Sequence, residues 1–125
     1  MVIRASRPIS EVVFIVDGGG SAITTGLKGF IKVDFSGKIL SCTLLADQTG
    51  SVVVDIWKAP YNSFPPTNLN SICGTNKPAI TNGIKYVDEN LTGWIKTINK
   101  NDVLAFNIDS ASTITKLTIC LKIKQ

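Results

Sequence analysis

Thr113-Ile114-Thr115-Lys116-Leu117-Thr118-Ile119-Cys120-Leu121-Lys122-Ile123-Lys124 is the stretch on which the fold turns. From Leu117 onward, apolar Leu117, Ile119, Leu121 and Ile123 alternate with Lys116, Thr118, Cys120, Lys122 and Lys124. Successive side chains of a strand point to opposite faces, so this period of two predicts a strand with one buried and one wet face. Lys116, Lys122 and Lys124 then share the solvent face. Ile114 is out of phase with Leu117, which predicts a bulge nearby.

The same texture recurs upstream. Glu11 to Val16 is an apolar, β-branched run. In Leu27 to Phe35, residues Ile31, Val33 and Phe35 oppose Phe30, Lys32 and Asp34. Lys38 to Ala46 sets Leu40, Cys42 and Leu44 against Ser41 and Thr43. Ser51 to Lys58 sets Val52, Val54 and Ile56 against Val53, Asp55 and Trp57. Leu91 to Ile98 holds Trp94, and Val103 to Asp109 groups Leu104, Phe106 and Ile108. Turn chemistry separates these runs: Asp17 to Ser21, Ser36-Gly37, Asp47-Gln48-Thr49-Gly50, Asn82-Gly83 and Asn99 to Asp102. Ala59 to Pro78 carries four prolines, which remove ladder donors, and reads as a long ordered crossing rather than central strand. Ile, Val and Thr make up 38 of the 125 residues, a load that suits pleated sheet. About eight strands at 8–12-residue spacing predict an all-β chain, a single antiparallel β-sandwich or jelly roll. Residues 1–10 read as an N-terminal arm holding Arg4 and Arg7, and 11–125 as the sandwich domain.

Composition excludes several chemistries. The chain has no histidine, which removes His-based triads, bases and zinc ligands. Net charge is +4, with 13 Lys plus Arg and 9 Asp plus Glu, but the lysines are scattered rather than patched. Cys42, Cys73 and Cys120 lack metal-ligand or disulfide spacing and read as free thiols, Cys42 and Cys120 within buried strands. The opening residues carry no secretory apolar core, and no apolar run reaches the ~18 residues of a membrane span. The expectation is synthesis as a soluble chain without membrane insertion.

Gly18-Gly19-Gly20 invites a phosphate-loop reading and fails it. No Gly-Lys-Ser/Thr follows, and Ile23 stands where G-x-G-x-x-G requires its last glycine. A tight turn between strands is the expectation. Asp17, Asp47, Asp88, Asp102 and Asp109 fall where turns take Asp. Asp55 differs, lying mid-strand between Val54 and Ile56 and facing solvent, an interface or a buried partner. No catalytic residue, cofactor site or metal site is predicted. Trp57, Tyr61 and Phe64 cluster beside Pro60, Pro65 and Pro66. They are candidates for a glycan-stacking platform, for a subunit contact, or for locking the crossing onto the sheet. Only Lys58 lies close to them, so no nucleic-acid partner is predicted, since stacking on RNA or DNA needs interleaved basic groups.

Several motifs in order carry a resemblance. They are Phe14-Ile15-Val16-Asp17-Gly18-Gly19-Gly20-Ser21-Ala22-Ile23-Thr24-Thr25-Gly26, Lys28-Gly29, Leu44-Leu45-Ala46-Asp47-Gln48, Asp55-Ile56-Trp57-Lys58, Phe64-Pro65-Pro66-Thr67, Leu91-Thr92-Gly93-Trp94, Phe106-Asn107 and Asp109-Ser110. From about Val12 to Ile123 the chain resembles the β-sandwich module of tailed-bacteriophage virion structural proteins, found at the ends of fibre-like chains and in capsid auxiliary proteins. The resemblance implies a virion protein rather than an enzyme, a homotrimer, and partners among capsid or fibre proteins. It also implies synthesis in the host bacterial cytoplasm. The sequence begins at Met1 and shows no fibre shaft. The expectation is therefore a small decoration protein that docks directly, with Arg4 and Arg7 as its docking arm. Recognition of a host surface glycan through Trp57, Tyr61 and Phe64 is the alternative.

Overall fold

Strand β3, Gly37–Pro60, runs for 24 residues and organises the molecule. In the computed structural model, which describes residues 7–125, the other strands are β1 (Ile9–Asp17), β2 (Gly26–Lys32), β4 (Ala79–Asp88), β5 (Thr97–Ile98), β6 (Asp102–Ser112) and β7 (Lys116–Lys124). All pairings are antiparallel. The order is β1-β7-β3-β6-β2, with β4 and β5 also paired to β3. The predicted all-β antiparallel class holds, with seven strands among the described residues where about eight were expected.

The missing strand boundary is instructive. Asp47 to Gly50, expected as a loop, lies inside β3. Residues 38–46 of β3 pair with β7 and residues 51–60 pair with β6, so the strand changes partner without reversing. The polar residues at the change of partner tie down the β6–β7 connection instead of turning their own chain. Asp47 accepts from the backbone N–H of Thr115 at 3.1 Å and of Lys116 at 3.0 Å, and from the Thr115 hydroxyl. Gln48 donates to the Thr113 carbonyl. Gly50 is required by crowding, because a Cβ there would sit 2.5 Å from the Ser112 carbonyl oxygen. Asn82-Gly83, the other expected turn, lies within β4 at the same level, with Gly83 opposite Gly50 across a register shift. Asn82 takes the positive φ of 46° and its N–H donates to Ser51 Oγ at 3.0 Å. Two neighbouring strands thus bend together, and their turn-forming residues mark the bend.

Bending carries the sheet over on itself. Phe14 of β1 stacks on Phe106 of β6 with ring centroids 4.5 Å apart and planes 8° apart. Gly29 of β2 lies where a Cβ would come within 2.9 Å of the Phe14 ring. The two ends of the strand order therefore face each other across the core. That core is filled by the predicted inward set: Leu44, Val54, Ile56, Leu104, Phe106, Ile108, Leu117, Ile119, Leu121 and Ile123 are fully buried. Leu40 departs from it. A bulge between Ile39 and Ser41 turns Ile39 inward and leaves Leu40 half-buried. Ile114 is also buried, and its phase is set by the connection between β6 and β7, where Thr113 takes a φ of 67°.

The crossing after β3 is ordered, as its prolines implied. Two single turns of 3-10 helix, Tyr61–Ser63 and Asn68–Asn70, punctuate it. Ile72 then donates to the Ile56 carbonyl at 2.9 Å and accepts from the Ile95 N–H at 2.8 Å. Leu91 to Lys96, expected as strand, is not. Leu91 and Gly93 adopt φ of 50° and 82°, and only Thr97–Ile98 pairs as β5. Trp94 is nearly buried and donates its indole N–H to the Asn76 carbonyl at 2.8 Å.

The turn carboxylates predict an acid-sensitive fold. Hydrogen bonds from Thr115 and Lys116 hold the Asp47 carboxyl below its ordinary value of 3.8. The backbone N–H groups of Leu91 and Asn90 do the same for Asp88. The folded chain thus binds these protons more weakly than the unfolded chain. Their stabilisation is complete above the ordinary value and drains away as pH falls through the lowered ones. Urea midpoints should be flat from neutral pH to about 5 and fall below about 4, with a shallower fall in Asp47→Asn. An identical acid limb in that variant would show that Asp47 contributes nothing to it.

Candidate functional site

Asp55, singled out by its mid-strand position, is buried and its partners are half-buried. One carboxylate oxygen accepts from Ser71 Oγ at 2.6 Å, and the other from Trp57 Nε1 at 2.9 Å. Lys77 Nζ lies 3.7 Å away and also pairs with Asp109 at 2.6 Å. This network fastens the crossing to β3, and among the described residues no buried side-chain nitrogen or oxygen lacks a partner. Trp57 belongs to it: half-buried, it bridges to Ser71 and spends its indole N–H on Asp55.

Tyr61 and Phe64 go elsewhere. Tyr61 is 62% exposed and Phe64 is 49% exposed. Phe64 meets Phe30 of β2 edge to face, with centroids 4.8 Å apart. These rings wall an open cleft of about 500 Å³ with Lys32 and Val103. It adjoins a second hollow of about 530 Å³ lined by Lys32, Pro60, Tyr61, Asn62, Lys100 and Asn101. Of the three predicted aromatics, the structure brings Tyr61 and Phe64 together and leaves Trp57 out of the cleft. Phe30, Lys32 and Lys100 were missed. The available signal was Phe30 itself, an aromatic on the wet parity of β2.

A second surface stands out. Strands β1, β7, β3 and β4 place Val13, Cys120, Thr43 and Val87 in one cross-strand row, and Ile15, Thr118, Leu45 and Lys85 in the next. Val13, Ile15, Leu45 and Val87 are exposed, from 46% to 64%. Glu11 opposite Lys122 and Asp17 opposite Lys116 border the apolar stripe. Cys120 is on this outer face and half-exposed, not buried as expected. Cys42 and Cys73 are buried free thiols. Burial pushes Cys73 up to about 12 and Cys42 higher still, so neither is a thiolate nucleophile at neutral pH.

The remaining chemistry is structural. Gly18 donates its N–H to the Thr115 carbonyl at 2.7 Å, and Gly19 and Gly20 take positive φ, as a tight turn needs. Among the described residues no group of His, Cys, Asp or Glu is placed to hold a metal ion. Arg7 is exposed; Arg4 lies outside the described residues. The predicted arm loses its last two residues to β1, where Ile9 and Ser10 pair with Lys124 and Ile123.

No family model and no curated protein matches the sequence. Solved structures do. A chain of the capsid of Ralstonia phage GP4 aligns with 100% of this chain and 89% of its own length, at a TM-score of 0.55 and 9% identity. A chain of the cyanophage Pam1 capsid aligns over 99% of this chain and 89% of its own, with a TM-score of 0.44 and 13% identity. The SPBc2 prophage-derived protein YomS aligns over 98% of both chains, with a TM-score of 0.40 and 13% identity. The last two likenesses are too loose to bear weight. The resemblance carried by the motifs extends to architecture: a chain of a phage capsid shares this fold over the whole of this chain and most of its own length.

Proposed function

We propose that this chain is a non-enzymatic structural component of a tailed-phage virion, a small auxiliary or decoration protein attached to the capsid or to a head or tail fibre. The full-length likeness to a chain of a phage capsid carries the reading. In it, the apolar stripe of Val13, Ile15, Leu45 and Val87 is the subunit contact of a homotrimer. Few charges need desolvating there: Glu11 and Asp17 lie opposite Lys122 and Lys116 at its border, and Lys85 lies opposite Leu45. Arg4 and Arg7 serve as the arm that docks onto other virion proteins.

Two variants test this. Ile15→Asp places a charge on the most exposed residue of the stripe without touching the core. Light scattering should report a trimer for the native chain and a monomer for the variant, which should still unfold cooperatively but without the concentration dependence of the native midpoint. A monomeric native chain would sink the trimer. Deleting residues 1–7, which spares the β1 pairing, should abolish binding to particles lacking the protein. Undiminished occupancy would remove the arm from the account.

Glycan recognition at the host surface is the second reading. It is favoured by the exposure of Tyr61 and Phe64 beside Phe30, since a solvent-facing aromatic wall offers flat faces to a sugar ring.

A further inference from the structure

The cleft walled by Phe30, Tyr61 and Phe64 has a polar end of a definite sign. Lys32 and Lys100, both exposed, supply two ammonium groups. Asp34 is paired to Lys32 at 2.6 Å, and that hydrogen bond, with the more distant charge of Lys100 as a lesser cause, holds its carboxyl below the ordinary range. Asp102, two residues beyond Lys100, is engaged elsewhere. It is buried and accepts from the Asn99 N–H at 2.8 Å, with Lys58 3.7 Å from it. Two ammonium groups against one carboxylate leave this end with a net positive charge, and among the described residues Lys100 has no close ion pair; the Asn62 amide is at the wall and Asn101 is held against Lys32 at 3.4 Å. Aromatic faces at one end and a cation with amide donors at the other suit a ring that has an apolar face and a carboxylate. A neutral sugar would draw nothing from the charge of the ammonium, and nucleic acid would need more cations along a track.

Resting on the glycan reading, we propose that this cleft binds an acidic saccharide, with a sugar ring over Tyr61 and its carboxylate at Lys100 and Asn62. The anchoring aromatics sit on two ordered elements, β2 and the 3-10 turn after β3, so little ordering is lost on binding.

Amide chemical-shift mapping and calorimetry on the whole protein test this, with tetragalacturonate, its methyl ester and maltotetraose as probes. The expected result is shifts confined to residues around Tyr61, Phe64 and Lys100 with the acid. The ester and maltotetraose should bind about tenfold more weakly or not at all, and affinity for the acid should fall with added salt. Lys100→Glu should lose about tenfold for the acid and nothing for the ester. Tyr61→Ala should lose binding of every probe while keeping the native unfolding midpoint. Equal affinity for acid and ester would overturn the acidic assignment and leave the glycan reading standing. Absence of shifts at the cleft with all three probes would overturn both.

Discussion

Phe106→Ala should lower the free energy of unfolding by about 3–5 kcal/mol, a large part of the 5–15 typical of a single domain. Phe106 is fully buried at the level where the folded-over sheet meets itself. Its ring stacks on Phe14 from the opposing layer, and its backbone pairs with Ile56 on one side and Gly29 on the other. Truncation removes apolar area from both layers at once. The cavity cannot collapse cheaply, because both flanking strands are held in their ladders. Phe106→Leu keeps most of the volume and should cost clearly less. Urea denaturation of the two variants checks this. A loss below about 1 kcal/mol in Phe106→Ala would mean that the layers do not close on this ring.

Asp55→Ala should cost about 3 kcal/mol, by a different mechanism. The substitution takes the acceptor from the Trp57 indole N–H and the Ser71 hydroxyl together, in a part-buried setting that water reaches poorly. Lys77 keeps its shorter pair with Asp109, so the stranded charge is only partly stranded. Ser71→Ala removes one donor and should cost about 1 kcal/mol. Because this network fastens the crossing, Asp55→Ala should also speed hydrogen exchange at the Ile72 amide, bonded to Ile56, while amides of β7 keep the protection set by global unfolding. Uniform acceleration across β7 and Ile72 would contradict a local fastening role.

The elements legible in the sequence were those whose two faces differ. β7 reads correctly because lysines and threonines alternate with Leu and Ile, and its buried residues are the four the alternation names. The second half of β3 follows the same rule except at Asp55 and Ala59, whereas Asp102 to Phe106 of β6 are buried on both faces. The bend was not legible. Asp47 to Gly50 and Asn82-Gly83 have turn chemistry, and a strand that reverses needs the same small and polar residues as one that bends. Only the partners across space, Thr115 and Lys116 for Asp47, distinguish the two. Leu91 to Trp94 failed for a related reason. Its apolar residues are anchors of an irregular segment, and nothing in their spacing marks the positive φ at Leu91.

The aromatic cluster was half legible. Nearness in sequence joined Trp57, Tyr61 and Phe64. Strand geometry then separated them, since Trp57 is held in register against Ser71 while the chain leaves β3 at Pro60 and carries Tyr61 and Phe64 round to β2. Phe30 and Lys100 reach the cleft from other strands and loops, so no local window contains them. Asp55 was the reverse case. Its oddity mid-strand was visible, and the structure shows it buried with the half-buried Trp57 and Ser71 as donors.

Reconstruction of purified particles of the encoding phage by cryo-electron microscopy, with the chain's own fold fitted to the density, tests the central claim most directly. The account predicts density for this fold at regularly repeating positions on the capsid or along a fibre, with the Ile15 face turned toward neighbouring copies and the N-terminus toward the particle. Particles that carry no copy of the chain, while it accumulates free in the infected cell, would contradict it.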